Sequence, residues 1–174
     1  MNKIAALLSL LLLTGCATPE KEIAGELVSC ESLLTSSVAN PIELGCLDGS
    51  KGAAINAMRG PMIINVWGSW CTSCKAEMGY FRSFYKKAQG KVELIGIDVE
   101  EASIKDGQDF VTTHGMTWPN LYDDDGRSRE YFGMGVPVTW FIAADGTVAY
   151  KKIGVLKNEI ELITLTSNYL GVKL

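Results

Sequence analysis

Two cysteines separated by two residues, Cys71 and Cys74, carry the clearest chemistry in this 174-residue chain. They stand in Trp67-Gly68-Ser69-Trp70-Cys71-Thr72-Ser73-Cys74-Lys75, between a β-branched apolar run and a stretch with helical periodicity. At a helix N-terminus the unpaired backbone N–H groups and the macrodipole favour an anion. That environment lowers the pKa of the first cysteine, whose thiolate is the nucleophile. The spacing puts Cys74 one turn along, within reach of a mixed disulfide formed at Cys71. One sulfur captures a substrate and the other releases it, with no cofactor beyond the dithiol itself. A structural zinc site needs four ligands, and the chain has a single histidine, His114, which reads as a surface or capping residue near a helix end. The expected metal is none.

The other three cysteines depend on the N-terminus. Lys3 precedes the apolar stretch Ile4 to Leu13, which at ten residues is short of the roughly 20 needed to cross a bilayer and suits a signal peptide. It ends in Leu13-Thr14-Gly15-Cys16, which resembles the bacterial lipobox, where the cysteine is acylated and becomes the mature N-terminus. Residues 1–15 are therefore expected to be a lipoprotein signal peptide, 16–29 a membrane tether and 30–174 the folded domain. Five cysteines in an exported protein leave one over. With Cys16 lipidated, the remaining four make two pairs, Cys71 with Cys74 and Cys30 with Cys46. Export also implies an oxidising compartment in which disulfides persist. A Cys30–Cys46 bridge would staple a weakly cored segment, worth about 3 kcal/mol in the chain-entropy account.

The elements that position these residues follow from periodicity. From Leu27 to Met58 the signals are short and broken by Pro41, Gly45, Asp48-Gly49 and Gly52, so irregular structure or a small hairpin is expected. Met62 to Trp67 reads as a buried central strand. A helix should start near Cys71, with Met78, Phe81, Phe84 and Ala88 on one face and Gly90 at its end. Val92 to Val99 reads as a strand and Ser103 to His114 as a helix, with Ile104, Phe110 and Val111 apolar. Asp123-Asp124-Asp125-Gly126 is a turn before a short helical piece around Ser128 to Phe132. Val138 to Ala143 and Val148 to Ile153 flank Asp145-Gly146, a two-residue hairpin signal. Lys157 to Leu170 reads as an amphipathic helix with Ile160, Ile163 and Leu170 on one side. The order β-α-β-α-β-β-α makes an α/β fold, a mixed central sheet flanked by helices, behind an N-terminal irregular or hairpin extension.

The chain from about Leu44 to Leu170 resembles the TlpA/ResA/DsbE-like branch of the thioredoxin superfamily, extracytoplasmic, membrane-tethered thiol–disulfide oxidoreductases. The matching residues are Arg59-Gly60-Pro61, Asn65-Val66-Trp67, Trp70-Cys71-x-x-Cys74-x-x-Glu77, Trp118-Pro119, Gly135-Val136-Pro137-Val138-Thr139-Trp140-Phe141-Ile142 and Asp145-Gly146. Thioredoxins proper carry a buried Asp where this chain has Asn65, and Asn is usual there in the TlpA-like branch. The resemblance implies a thioredoxin-like fold and a Glu77 close to the active site. Read from the residues alone, Glu77 is either a proton-handling carboxylate on the face of Cys74 or a solvated charge near a helix N-terminus. The resemblance favours the first. It also implies a cis Val136–Pro137 bond facing the cysteine pair, with the Val136 backbone turned toward the substrate; Trp70, next to the nucleophile, is expected at the substrate surface. Most relatives of this type act as reductants, for example of the haem-binding cysteines of apocytochrome c, fed by a membrane partner.

A peroxiredoxin-like peroxidase shares the broad fold, but the Pro/Thr-rich segment around its cysteine has no counterpart here. An EF-hand-like calcium loop would put Leu121 and Phe132 at positions that demand acids, so the Asp-rich segment reads as an acidic turn. The net charge of −4 argues against a nucleic-acid partner. The sequence thus points to a monomeric, extracytoplasmic exchanger of protein disulfides, lipid-anchored to a bacterial membrane at the cell surface or the periplasmic face, and the resemblance makes it more a reductant than an oxidant. Its alternative is a non-catalytic lipoprotein of the same fold that holds a metal or a protein partner.

Overall fold

The computed structural model describes residues 24–133 and 135–174. The segment 1–15 and Cys16 lie outside the described residues. Part of the expected tether lies within them: the Gly25 and Glu26 N–H groups donate to the Thr112 and Met116 carbonyls, and Leu27 packs on the core.

Seven strands form one sheet in the order β2-β1-β5-β4-β3-β6-β7. They are β1 (Glu43–Cys46), β2 (Ala53–Ala54), β3 (Met62–Trp67), β4 (Glu93–Val99), β5 (Asn120–Asp123), β6 (Val138–Ile142) and β7 (Val148–Ile153). The helices are α1 (Thr72–Ala88), α2 (Ile104–Thr113), α3 (Arg129–Phe132) and α4 (Glu159–Leu170). The three central strands β3, β4 and β5 run parallel, while β6, β7 and the β1–β2 hairpin are antiparallel additions. β3 is buried at every position, as its unbroken apolar run requires of a strand covered on both faces.

The two faces have separate cores. Ile63, Trp67, Leu94 and Phe141 pack under Met78, Phe81 and Phe84 of α1, Phe110 and Val111 of α2, and Leu162 of α4. On the other face Met62, Ile64, Val66, Ile97 and Trp140 pack against Phe132 of α3 and the segment from Cys30 to Met58. The mixed sheet, its flanking helices and the N-terminal hairpin are those expected from the sequence.

Three details differ. β5 is a strand although its four residues, Asn-Leu-Tyr-Asp, carry no strand-length pattern; pairing with both β4 and β1 supplies what propensity does not. The β6–β7 connection is longer than a two-residue turn. Gly146 N–H donates to the Ala143 carbonyl, and Gly146, at φ 87°, carries the chain back so that Ala143 N–H meets the Thr147 carbonyl. That is a three-residue loop with a glycine bulge. In α4 the buried positions are Leu162 and Thr166, and Ile160 is 72% exposed. Ile163, Leu165 and Leu170 are half-buried against the same core, and Tyr169 stacks on Tyr150 of β7.

Candidate active site

The cysteine pair sits where β3 ends and α1 begins. Gly68 permits a tight turn there, since a Cβ on it would lie 2.6 Å from the Trp70 indole nitrogen and 3.0 Å from the Val99 carbonyl. The turn is tied down on several sides. Cys71 N–H donates to the Gly68 carbonyl, and Trp70 Nε1 donates to the Val99 carbonyl at 3.3 Å. Ser69 donates from both its backbone N–H and its hydroxyl to the two carboxylate oxygens of Glu101, at 2.5 and 2.6 Å.

Cys71 is the N-cap of α1, and its sulfur accepts the Cys74 N–H at 3.1 Å. A cap accepting an orphan amide at the positive end of a 17-residue helix is placed to carry negative charge. The two cysteines form a disulfide with Cα atoms 5.3 Å apart. Cys71 is 5% exposed and Cys74 is wholly buried, so of the two only Cys71 reaches the surface. Trp70 beside it is 53% exposed.

Glu77 lies three residues beyond Cys74 and faces inward. It is completely buried, which removes the solvated-charge alternative. One carboxylate oxygen accepts the Leu156 N–H from the turn before α4, and the other has no partner among the described residues. Burial pushes its pKa up to about 7, against the lowering effects of the Leu156 N–H and the Lys152 charge. Two further buried polar side chains share this face. Asn65 of β3 and Thr139 of β6 stand opposite each other in the antiparallel register, and neither side chain finds a partner among the described residues.

The Val136–Pro137 peptide is cis, and so is Gly60–Pro61 in the Arg59-Gly60-Pro61 motif, for which no cis bond is expected from the sequence. Val66 pairs with Val138, so Pro137 falls beside Trp67 at the end of the sheet where the chain turns to Cys71. Half-buried Val136 packs against the core cluster that contains Cys71. A groove next to the turn is lined by Trp70, Val99, Arg129, Phe132, Gly135 and Val136.

The remaining candidates lie elsewhere. Cys30 and Cys46 are disulfide-bonded and buried at the far side of the sheet, both sulfurs within 3.6 Å of the Asn120 carbonyl oxygen. His114 caps α2, stacked on Phe110. Asp123 is spent on the Ser128 and Arg127 amides and Asp125 on the Arg127 guanidinium, as an acidic turn requires. Among the described residues no cluster of three or more His, Cys, Asp or Glu side chains is arranged for a metal. Glu101 acts on a turn 32 residues away, and its one trace in the sequence is the Glu100-Glu101 pair at a strand end. Thr139, in the sequence only one member of the Gly135-to-Ile142 motif, lies on the buried face under α1 through its alternation with Phe141.

Comparison with known proteins agrees with this geometry. Residues 37–151 match the AhpC/TSA family. The thiol-disulfide oxidoreductase ResA of Bacillus thuringiensis (strain Al Hakam) is 34% identical over 95 residues, 53% of this chain and 54% of its own length. The thiol:disulfide interchange protein DsbE of Tatumella citrea is 31% identical over 126 residues, 71% of this chain and 63% of its own. The match spans about half the length of the ResA relatives. Among solved structures, StoA from Bacillus subtilis superposes with a TM-score of 0.60 at 24% identity, covering 73% of this chain and 96% of that one. A secreted Mycobacterium tuberculosis disulfide oxidoreductase homologous to E. coli DsbE gives 0.64 at 23% identity, covering 74% and 96%. The fold is thioredoxin-like, and the chain belongs to the AhpC/TSA family.

Proposed function

We propose that this chain is an extracytoplasmic thiol–disulfide oxidoreductase, tethered to a membrane through Cys16, that reduces protein disulfides with Cys71 and Cys74. The observation that carries the reading is the asymmetry of the pair: an amide-capped, marginally accessible Cys71 over a fully buried Cys74. The names of the ResA and DsbE relatives support it.

In the reaction the Cys71 thiolate attacks one sulfur of a substrate disulfide. A mixed disulfide forms and the other substrate sulfur leaves as a thiolate. Cys74 then gives up its proton and attacks the Cys71 sulfur, which frees the second substrate thiol and leaves the Cys71–Cys74 disulfide. Glu77, one helical step from Cys74 and poised near neutrality, is suited to take that proton. Trp70 and the Val136 backbone beside Pro137 form the docking edge, the latter as a partner for extended chain. A membrane-bound thiol donor resets the dithiol. The buried Cys30–Cys46 bridge is structural.

Cys71→Ser should abolish insulin-disulfide reduction, and Cys74→Ser should accumulate mixed disulfides visible on non-reducing gels. Full activity in Cys71→Ser would remove the catalytic reading. In the same strains a palmitate analogue should label the wild type and not Cys16→Ser; equal labelling, or none, would remove the anchor. A Cys71–Cys74 potential above about −150 mV would make the protein an oxidant.

A further inference from the structure

At the carboxyl end of β4, Asp98 is fully buried, no donor group among the described residues reaches either carboxyl oxygen, and the polar side chain it meets is the Glu101 carboxylate. An unpaired carboxylate in such a place is among the costliest groups a fold can hold. The register sets Asp98 beside Trp67 of β3 and Tyr122 of β5. α2 covers it so closely that a Cβ on Gly107 would stand 1.8 Å from Asp98 Oδ2. Gly107 lies inside a helix, where glycine is a poor residue, and its bare Cα leaves the room the carboxyl occupies. The titratable groups facing Asp98 are Glu101 after β4, Asp106 of α2 and Tyr122 of β5, none of them a cation. No ion pair found among the described residues includes it. Burial, then the adjoining Glu101 carboxylate, then Asp106 push it up to about 10. Glu101 is also the group that receives both Ser69 donors at the turn before Cys71.

We propose that Asp98 is a positioning residue: as the neutral acid it donates its proton to the Glu101 carboxylate, and this carboxyl–carboxylate pair fixes the turn that presents Cys71. The pair carries one negative charge in place of two, and a like pair of carboxylates in contact holds a shared proton for that reason. Glu101 is then gripped from below by Asp98 while it grips Ser69 from above. The role rests on the reading of Cys71 as the nucleophile.

The test reads Cys71 in the fully reduced protein, by thiolate absorbance and by its rate of alkylation with iodoacetamide at pH 7. Asp98→Asn keeps a neutral donor, and both readings should stay within about two-fold of the wild type. Asp98→Val removes the donor and should change the alkylation rate at least about five-fold. An ionised Asp98 would behave otherwise, because Asn would delete a negative charge and raise the thiolate fraction; that result overturns the proposal. So does a Val variant that overlays the wild type. Should Asp98→Val fail to fold, Gly107→Ala reads the same displacement. Its methyl group pushes on the carboxyl and should alter Cys71 alkylation by a similar factor, whereas helix propensity alone predicts no change. Insulin reduction by the wild type is scored separately: its absence counts against the dithiol reading, and its presence with all variants overlaid counts against Asp98.

Discussion

Glu77 couples the active site to the stability of the whole domain. Its native pKa is raised from 4.5 to about 7, chiefly by burial. The folded state therefore holds a proton that the unfolded chain releases, and its favourable contribution is complete below about pH 4.5. That contribution is lost as pH rises through 7, since stability falls wherever the native state binds more protons. Between pH 5 and 8 the loss from this group is about 2–3 kcal/mol at one unit per 1.36 kcal/mol. Glu77→Gln keeps the shape and drops the titration, so the variant should gain on the wild type by that amount between pH 5 and 8. Urea titrations of the oxidised protein, in which neither cysteine ionises, measure it. Parallel pH slopes for the two proteins would mean that Glu77 does not titrate with a raised pKa. The i+3 spacing from Cys74 made Glu77 legible in the sequence, but its burial was not. The group that closes over it, the Leu156 amide, is 79 residues away. Asp98 and Glu101 escaped for the same reason, since tertiary contact alone joins them to the turn before Cys71.

At the level of elements, the sequence pattern located the helices and the strands β3, β4, β6 and β7, and it failed where one neighbour decides which side is inside. In α4 the sequence offers Ile160, Ile163 and Leu170 as an apolar side. The helix buries Leu162 and Thr166 fully, keeps Ile163 and Leu170 half-buried against the core and leaves Ile160 exposed, with Asn158 capping its start through the Glu161 amide. The Lys87–Glu159 ion pair ties that start to α1. Leu162 is wholly buried in the α1-side core, so Leu162→Ala should cost about 2–5 kcal/mol through lost burial and the cavity left behind. Ile160→Ala, at an exposed position, should change stability by no more than about 0.5 kcal/mol. Thermal or urea unfolding of the two variants separates the alternatives. A larger loss at Ile160 than at Leu162 would restore the face read from the sequence. β5 and the glycine-bulged β6–β7 loop have a similar origin. A four-residue strand has too few positions to show a period, and Asp145-Gly146 suits both a two-residue and a three-residue turn.

Across the molecule the two disulfides stand in opposite electrostatic settings, and that contrast predicts which opens first. Both pairs are buried, so accessibility alone does not separate them. The Cys71 sulfur receives an amide N–H at the positive end of α1, which favours the thiolate released on reduction. The Cys30 and Cys46 sulfurs face the Asn120 carbonyl oxygen, whose partial negative charge disfavours a thiolate at either one. Cys30–Cys46 also joins the N-terminal segment to β1 across a separation of 16 residues. Reducing it frees a loop whose closure is worth about 3 kcal/mol in the chain-entropy account. With limiting dithiothreitol, alkylation and mass spectrometry should therefore find Cys71 and Cys74 modified while Cys30 and Cys46 remain paired. A Cys30→Ala/Cys46→Ala protein should unfold more easily by about 3 kcal/mol and still reduce insulin, since neither residue lines the turn at Cys71. Simultaneous alkylation of all four cysteines would show that the bridges do not differ. Loss of insulin reduction in a folded double variant would show that the N-terminal staple reaches the active site.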